Sequence, residues 1–308
     1  MKSNSIIIGT RGSKLALWQA QQVKDRLIAA FPHLSVSLQI IKTKGDKILD
    51  VALSKIGDKG LFTKEIELAL SNGEIDMAVH SLKDLPTELP DGLAVGGILK
   101  REEVRDVLIS IKRSKLSELT ANDKVGTSSL RRKAQLLQFT PAVQVVDIRG
   151  NVETRIQKMQ DGYCDALIMA AAGIIRLGYQ DLIKEYIDPE IIMPAVAQGS
   201  IAVEIREEDD KIRHLTDSIT DETSWHVSMA ERSFLRTLEG GCQVPIGCYC
   251  KVNNENISIS GMVAKPDGSM QIKRSIDCIL EEASEKAIEL AKIILNEGGR
   301  KILDDIRK

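Results

Sequence analysis

Two groups of residues in this sequence have types and spacings that could do chemistry. The first is a single thiol. Cys242 directly follows Gly240-Gly241 in the stretch 238–247, Leu-Glu-Gly-Gly-Cys-Gln-Val-Pro-Ile-Gly. Glycines at that point let the backbone leave a helix, and Pro245 prevents the helix from resuming. A cysteine there either packs as a small apolar cap or is held out on a short loop as a nucleophile. The second group is cationic and hydroxylic, and it recurs at the expected carboxyl ends of strands. It comprises Arg11 with Ser13, Lys83 with Asp84, Ser128 and Ser129 with Arg131 and Arg132, then Arg149 and Arg176. Ligands of open α/β sheets bind at that edge, and helix N-termini carrying hydroxyls and arginines hold anions there.

Scattered over a surface, such cations would simply be solvated. Gathered into a cleft, like charges about 6 Å apart at an effective dielectric of about 20 repel by about 3 kcal/mol, and an anionic ligand would offset this. Several separate arginines suit many carboxylates or phosphates better than one. Asp84 is the exception, an acid beside Lys83 and ahead of Leu85-Pro86. It is either a surface ion-pair residue or a general acid/base and cation stabiliser. His80 reads as a packed, hydrogen-bonded histidine.

The 308 residues suffice for two or three domains, and 43% hydrophobic with 28% charged residues is ordinary for a globular chain. A net charge of −2 gives no general attraction to nucleic acid or anionic membrane. There is no GxGxxG or Walker pattern for nucleotides. The four histidines lack metal-binding spacing, so no metal is expected. Cys242 with Cys248 and Cys250 could form a thiolate site, but the spacing fits no usual zinc pattern. The run Ile6-Ile7-Ile8 is too brief for a secretory or membrane segment. Five cysteines without a CxxC pair then suggest reduced thiols in the cytoplasm.

The elements that must position these residues alternate strand and helix. Strands are expected at 5–9, 36–40, 75–79, 93–99, 107–111, 143–148 and 166–169. Helices are expected at 14–31, capped by Ser13, at 66–70, from Leu130, and after Asn151. This predicts two mostly parallel α/β units. The strand 201–205 returns the chain to the first. A helix over 224–238, three strands near 246–252, 257–264 and 270–277, and a helix over 281–296 make a terminal α+β domain. The charged stretch 42–60, with Lys55 and Lys59, is expected to be a mobile cover.

These residues resemble the porphobilinogen deaminase family over nearly the whole chain. The resemblance rests on Thr10-Arg11-Gly12-Ser13-Lys14-Leu15-Ala16, Val79-His80-Ser81-Leu82-Lys83-Asp84-Leu85-Pro86-Thr87 and Gly126-Thr127-Ser128-Ser129-Leu130-Arg131-Arg132. It continues through Arg149-Gly150-Asn151-Val152-Glu153-Thr154-Arg155, Ala170-Ala171-Ala172-Gly173 with Arg176-Leu177-Gly178, and Glu239-Gly240-Gly241-Cys242-Gln243-Val244-Pro245-Ile246-Gly247. It implies two periplasmic-binding-protein-like α/β domains, 1–99 with 200–219 and 100–199, flanking a cleft, and a small α+β domain, 220–308.

It further implies a dipyrromethane cofactor joined to Cys242 through a thioether. Four porphobilinogen units are added to it with loss of ammonia, and the linear tetrapyrrole is released by water. On this resemblance Asp84 is catalytic. Lys83, Asp84, Ser129, Arg131, Arg132, Arg149, Gly150, Ala170 and Gly173 hold the cofactor. Arg11, Ser13, Thr127, Ser128, Arg149, Arg155, Arg176 and Gln198 hold substrate. Lys55, Lys59 and Phe62 belong to the mobile cover. The expected protein is a monomer that binds neither nucleic acid nor membrane; the competing class is a non-enzymatic anion-binding protein of the same fold. The sequence departs from the family at Ala197, where glycine is common, at Val104, where proline is frequent, and at Cys248 and Cys250, which add thiols that could oxidise.

Overall fold

The structure is a computed structural model that describes residues 5–47, 60–240, 244–253 and 256–307. Lys55, Lys59 and Cys242 lie outside these. The chain opens with β1 (Ser5–Thr10), α1 (Lys14–Ala30), β2 (Ser35–Ile40), α2 (Lys44–Lys47), α3 (Lys64–Ser71), β3 (Met77–Ser81) and β4 (Leu93–Ile98). It continues with β5 (Asp106–Ser110), β6 (Lys124–Gly126), α4 (Leu130–Phe139), β7 (Gln144–Val146), α5 (Val152–Gln160), β8 (Ala166–Ala170), α6 (Ala171–Arg176) and β9 (Ile183–Tyr186). Then come β10 (Ile201–Arg206), α7 (Asp210–Asp217), α8 (Glu222–Thr237), β11 (Ile246–Asn253), β12 (Asn256–Ala264), β13 (Gln271–Ile279), α9 (Ala283–Ile294) and α10 (Arg300–Arg307).

Two compact units result: the described residues through Glu102 with Gly199–Trp225, and Glu103–Gln198 with the residues from His226 onward. In the first, the strands run in the order β2-β1-β3-β10-β4. β1 pairs in parallel with both β2 and β3, whereas β10 opposes β3 and β4. Four strands therefore share a direction and the returning strand runs against them. Ile6 and Ile8 of β1 pack with Ala20, Val23 and Leu27 of α1 and with Val203 and Ile205 of β10. Near-continuous apolar strands of this kind suit a sheet covered on both faces.

The second unit repeats that plan as β7-β6-β8-β5-β9. Here the opposing strand is β5, the one by which the chain enters. The sequence reading anticipated mostly parallel sheets and the return of 201–205. It assigned no direction to that strand, which connectivity decides.

The remaining sheet, β11-β12-β13, is an antiparallel meander covered by α9. Met262 and Ala264 of β12 share a core with Ala134 of α4 and Met193, so this sheet rests on the same unit as α4. No described helix is long and apolar enough to cross a membrane.

Candidate active site

Turns after strands are held by hydroxyls. Beyond β6, the Ser128 hydroxyl donates to the Ile148 carbonyl at 2.8 Å and accepts from the Ile148 N–H at 3.0 Å. That double contact ties the loop before α4 to the loop after β7. Ser129 caps α4, its Oγ accepting from the Arg132 N–H at 3.5 Å, and the Ser129 N–H donates to Thr127 Oγ1 at 3.3 Å. Asn151 caps α5 by accepting from the Thr154 N–H at 2.9 Å. Ser13 does the same for α1 through the Ala16 N–H at 3.2 Å. Ser13 and Ser129 only accept in these caps and so keep an O–H with which to donate to a ligand, whereas the Ser128 O–H is committed to the Ile148 carbonyl.

Capped in this way, α4 carries Arg131 and Arg132 at its start, and both are buried, at 5% and 7% exposure. They share one acid, Asp106 at the head of β5. Arg131 donates to its Oδ2 at 2.8 Å and Arg132 to its Oδ1 at 2.7 Å. Arg131 also donates to the Met193 carbonyl. Gln198 Nε2 donates to Asp106 Oδ1 at 2.9 Å and to the Val104 carbonyl at 2.7 Å. Burial pushes the Asp106 carboxyl upward in pKa. The charges of Arg131 and Arg132, with hydrogen bonds from Arg132 and Gln198, outweigh it and hold the group well below the usual carboxylate range. Burial draws Arg131 below its ordinary value despite Asp106. Arg132 Nε is buried without a hydrogen-bond partner among the described residues.

Sequence reasoning missed Asp106. Its one signal was an acid at the mouth of an apolar strand, next to Arg105. The reading also placed Arg131 and Gln198 with the ligand-holding residues without seeing that both bond Asp106.

Further along this unit, Gly150 takes a φ of 119°, a conformation glycine adopts readily, and its carbonyl accepts from Arg155 Nε at 2.8 Å. Lys158 Nζ donates to the Arg149 carbonyl at 3.2 Å. Ala170 ends β8 opposite Asp106, while Gly173 is buried and Arg176 half-buried on α6. Thus Ser128, Ser129, Arg131, Arg132, Arg149, Arg155 and the Ala170 turn all fall in one unit, on loops or helix starts that follow strands.

In the first unit, the Arg11 guanidinium carbon lies 4.2 Å from the centre of the Phe62 ring, a cation–π contact. Lys83 is half-buried and Asp84 exposed on a single turn of 3-10 helix, Leu82–Asp84. That turn is tethered at its base. Leu82 N–H donates to the Ser200 carbonyl at 3.1 Å, and Gln19 Nε2 donates to Ser81 Oγ at 2.8 Å. His80 is buried and bonded through Nε2 to Glu204 at 2.9 Å, as a packed histidine should be.

Cys248 and Cys250 face the core, at 0% and 4% exposure, and burial corrects their reading as oxidisable additions. Among the described residues, no cluster of His, Cys, Asp or Glu could hold a metal ion.

Two family models match the chain: "Porphobilinogen deaminase, dipyromethane cofactor binding domain" over residues 6–214, and "Porphobilinogen deaminase, C-terminal domain" over residues 225–297. The porphobilinogen deaminase of Syntrophomonas wolfei is 50% identical over 301 residues, 98% of each chain. That of Carboxydothermus hydrogenoformans is 49% identical over 98% of this chain and 97% of its own. Among solved structures, the methionine-binding protein MetQ aligns with 74% of this chain and 92% of its own, at 16% identity and a TM-score of 0.42. A periplasmic substrate-binding protein of an ABC transporter from Coxiella burnetii aligns with 70% and 91%, at 14% identity and a TM-score of 0.44. Full-length identity near one half, with both family models matched in order, settles the descent: the chain belongs to the porphobilinogen deaminase family.

Proposed function

We propose that this chain is a transferase that condenses four molecules of porphobilinogen head to tail, with loss of ammonia, on a dipyrromethane cofactor. It then releases the linear tetrapyrrole hydroxymethylbilane by hydrolysis. The observation that carries the reading is the pair of family models matched over residues 6–214 and 225–297, the first of them a cofactor-binding domain for dipyrromethane. We further infer a thioether to Cys242, three domains (1–99 with 200–219, 100–199 and 220–308), and a cytoplasmic monomer.

The residues present suit that cofactor. Its rings carry carboxylates, and the buried cluster on α4 has two guanidiniums against one acid, with one N–H, on Arg132, unpartnered among the described residues. Arg131, Arg132, Lys83 and Ser129, with Arg149, would hold the cofactor's side groups beside Asp84, Gly150, Ala170 and Gly173. Arg11, Ser13, Thr127, Ser128, Arg155, Arg176 and Gln198, again with Arg149, would hold the incoming pyrrole. Each charge-assisted hydrogen bond contributes about 1.5–3 kcal/mol. Bound there, the cofactor supplies the free pyrrole end on which the chain grows.

Asp84 is the acid in this set that is both exposed and adjacent to a lysine. It would accept a pyrrole N–H, stabilise positive charge developing on a ring, and carry a proton away. A thioether survives turnover where an ester would hydrolyse, which is the chemical reason for cysteine at position 242. Intact mass under denaturing conditions tests the reading. The purified protein should exceed its sequence mass by two pyrrole units, and an active chain of unmodified mass would refute the attachment.

A further inference from the structure

The Asp106 cluster carries an inference beyond the residues expected to touch ligand. Its acid is completely buried, faces two guanidiniums that are themselves more than nine-tenths buried, and leaves one positive charge without a counter-charge in the cluster. The geometry is not that of a simple ion pair. Each Asp106 oxygen serves a different arginine, and Gln198 adds a second donor to the oxygen that Arg132 uses. Lone-pair capacity on the acid is therefore committed to keeping two like charges side by side. Meanwhile Arg132 Nε is buried with no acceptor among the described residues. A buried surplus charge with an unused donor is costly unless an anion completes it.

We propose that Asp106 is a positioning residue that acts as the partial counter-ion of the cofactor-free protein. It holds Arg131 and Arg132 together while leaving one positive charge for a carboxylate of the dipyrromethane to neutralise. The inference rests on the reading that these arginines face the cofactor. It makes cofactor uptake and folding stability share one electrostatic account. Removing the acid must penalise the empty protein more than the loaded one, because in the loaded protein a ligand carboxylate takes over part of its work. A purely structural staple between β5, α4 and the segment around Gln198 would weaken both forms alike.

The test compares thermal midpoints of the full chain in two states. The empty state comes from cells that cannot supply porphobilinogen. The loaded state is made by incubation with porphobilinogen, with loading verified by denatured mass. Asp106→Asn keeps size and one acceptor but removes the charge, and it should widen the gap between loaded and empty midpoints by at least about 4 °C relative to the parent. A variant that can be recovered only in loaded form is the same result at its limit. Arg131→Met removes the surplus charge and should narrow the gap, so the inference stays testable even if Asp106→Asn folds in neither state. Equal lowering of both midpoints in Asp106→Asn, or an unchanged gap in Arg131→Met, overturns the proposal. Arg132→Ala separates the two levels. If it loads fully and keeps the parental gap, the assignment of this cluster to the cofactor fails and this inference falls with it. If it loads poorly while Asp106→Asn keeps the parental gap, only the role given to Asp106 fails.

Discussion

At the scale of single residues, the departures from family habit are the most instructive. Ala197 stands where glycine is common, and its φ is +57°, the left-handed region that costs a residue with a Cβ about 1 kcal/mol or more. The backbone is held there by Glu231, a fully buried acid whose oxygens accept from the Ala197 N–H at 2.6 Å and the Cys250 N–H at 2.9 Å. The strain is thus retained by a bond from the terminal sheet's neighbour helix, α8. Ala197→Gly should raise stability by about 1 kcal/mol, partly offset by the greater freedom of glycine in the unfolded chain. Urea titration reads this directly, and a destabilised variant would mean that the methyl group packs usefully. Asp84 makes the opposite demand, since its value lies in chemistry and its exposed side chain contributes little to the core. Asp84→Asn should fold with the parental midpoint and carry the cofactor mass, yet lose about 10²-fold or more in turnover. Near-parental rates would remove this acid from the mechanism.

Elements were legible wherever their signals are local. Ser13 and Asn151 cap the helices they were expected to cap because a side-chain hydroxyl or amide reaches a backbone N–H three residues away. Asp106 was not legible for the converse reason. Its partners lie 25, 26 and 92 residues away along the chain, and no local spacing announces them. Glu67 on α3 belongs to the same class. It reads as one charge on a helix of mixed polarity, yet folding buries it to 8% exposure. Burial, with the Glu204 charge adding to it against His80 and Lys64, raises its pKa above the ordinary 4.5. The folded protein therefore holds this proton more tightly than the unfolded chain does. The contribution to stability is complete below pH 4.5 and is lost as pH rises through the raised value. Glu67→Gln should leave stability near pH 4 little changed, raise it at pH 7, and flatten the decline between. A variant less stable at pH 7, with the decline intact, would show that the carboxylate has a compensating partner.

For the whole molecule, the sequence carried the α/β repetition and the terminal meander. It did not carry the way the meander is seated, because a seat depends on backbone shape as much as on side-chain type. The turn between β12 and β13 brings Gly268, at φ +74°, against α4, where a Cβ would lie 2.5 Å from the Ala134 carbonyl and 3.0 Å from the Gln138 nitrogen. Gly73 provides an internal control, with nearly the same φ of +73° and nothing within 4 Å of its would-be Cβ. Alanine at either position meets the same backbone strain, about 1 kcal/mol. At position 268 it must also push the turn away from a backbone that cannot rotate aside, which costs a further 1–3 kcal/mol or so. Denaturant unfolding should therefore show Gly268→Ala less stable than Gly73→Ala by about that margin. The difference measures how firmly the terminal sheet is pressed on the helix that starts with Arg131 and Arg132. Equal losses would mean that the turn does not bear on α4 in solution, and that the two arginines owe their placement to Asp106, the Met193 carbonyl and the Ser129 cap without help from the terminal sheet.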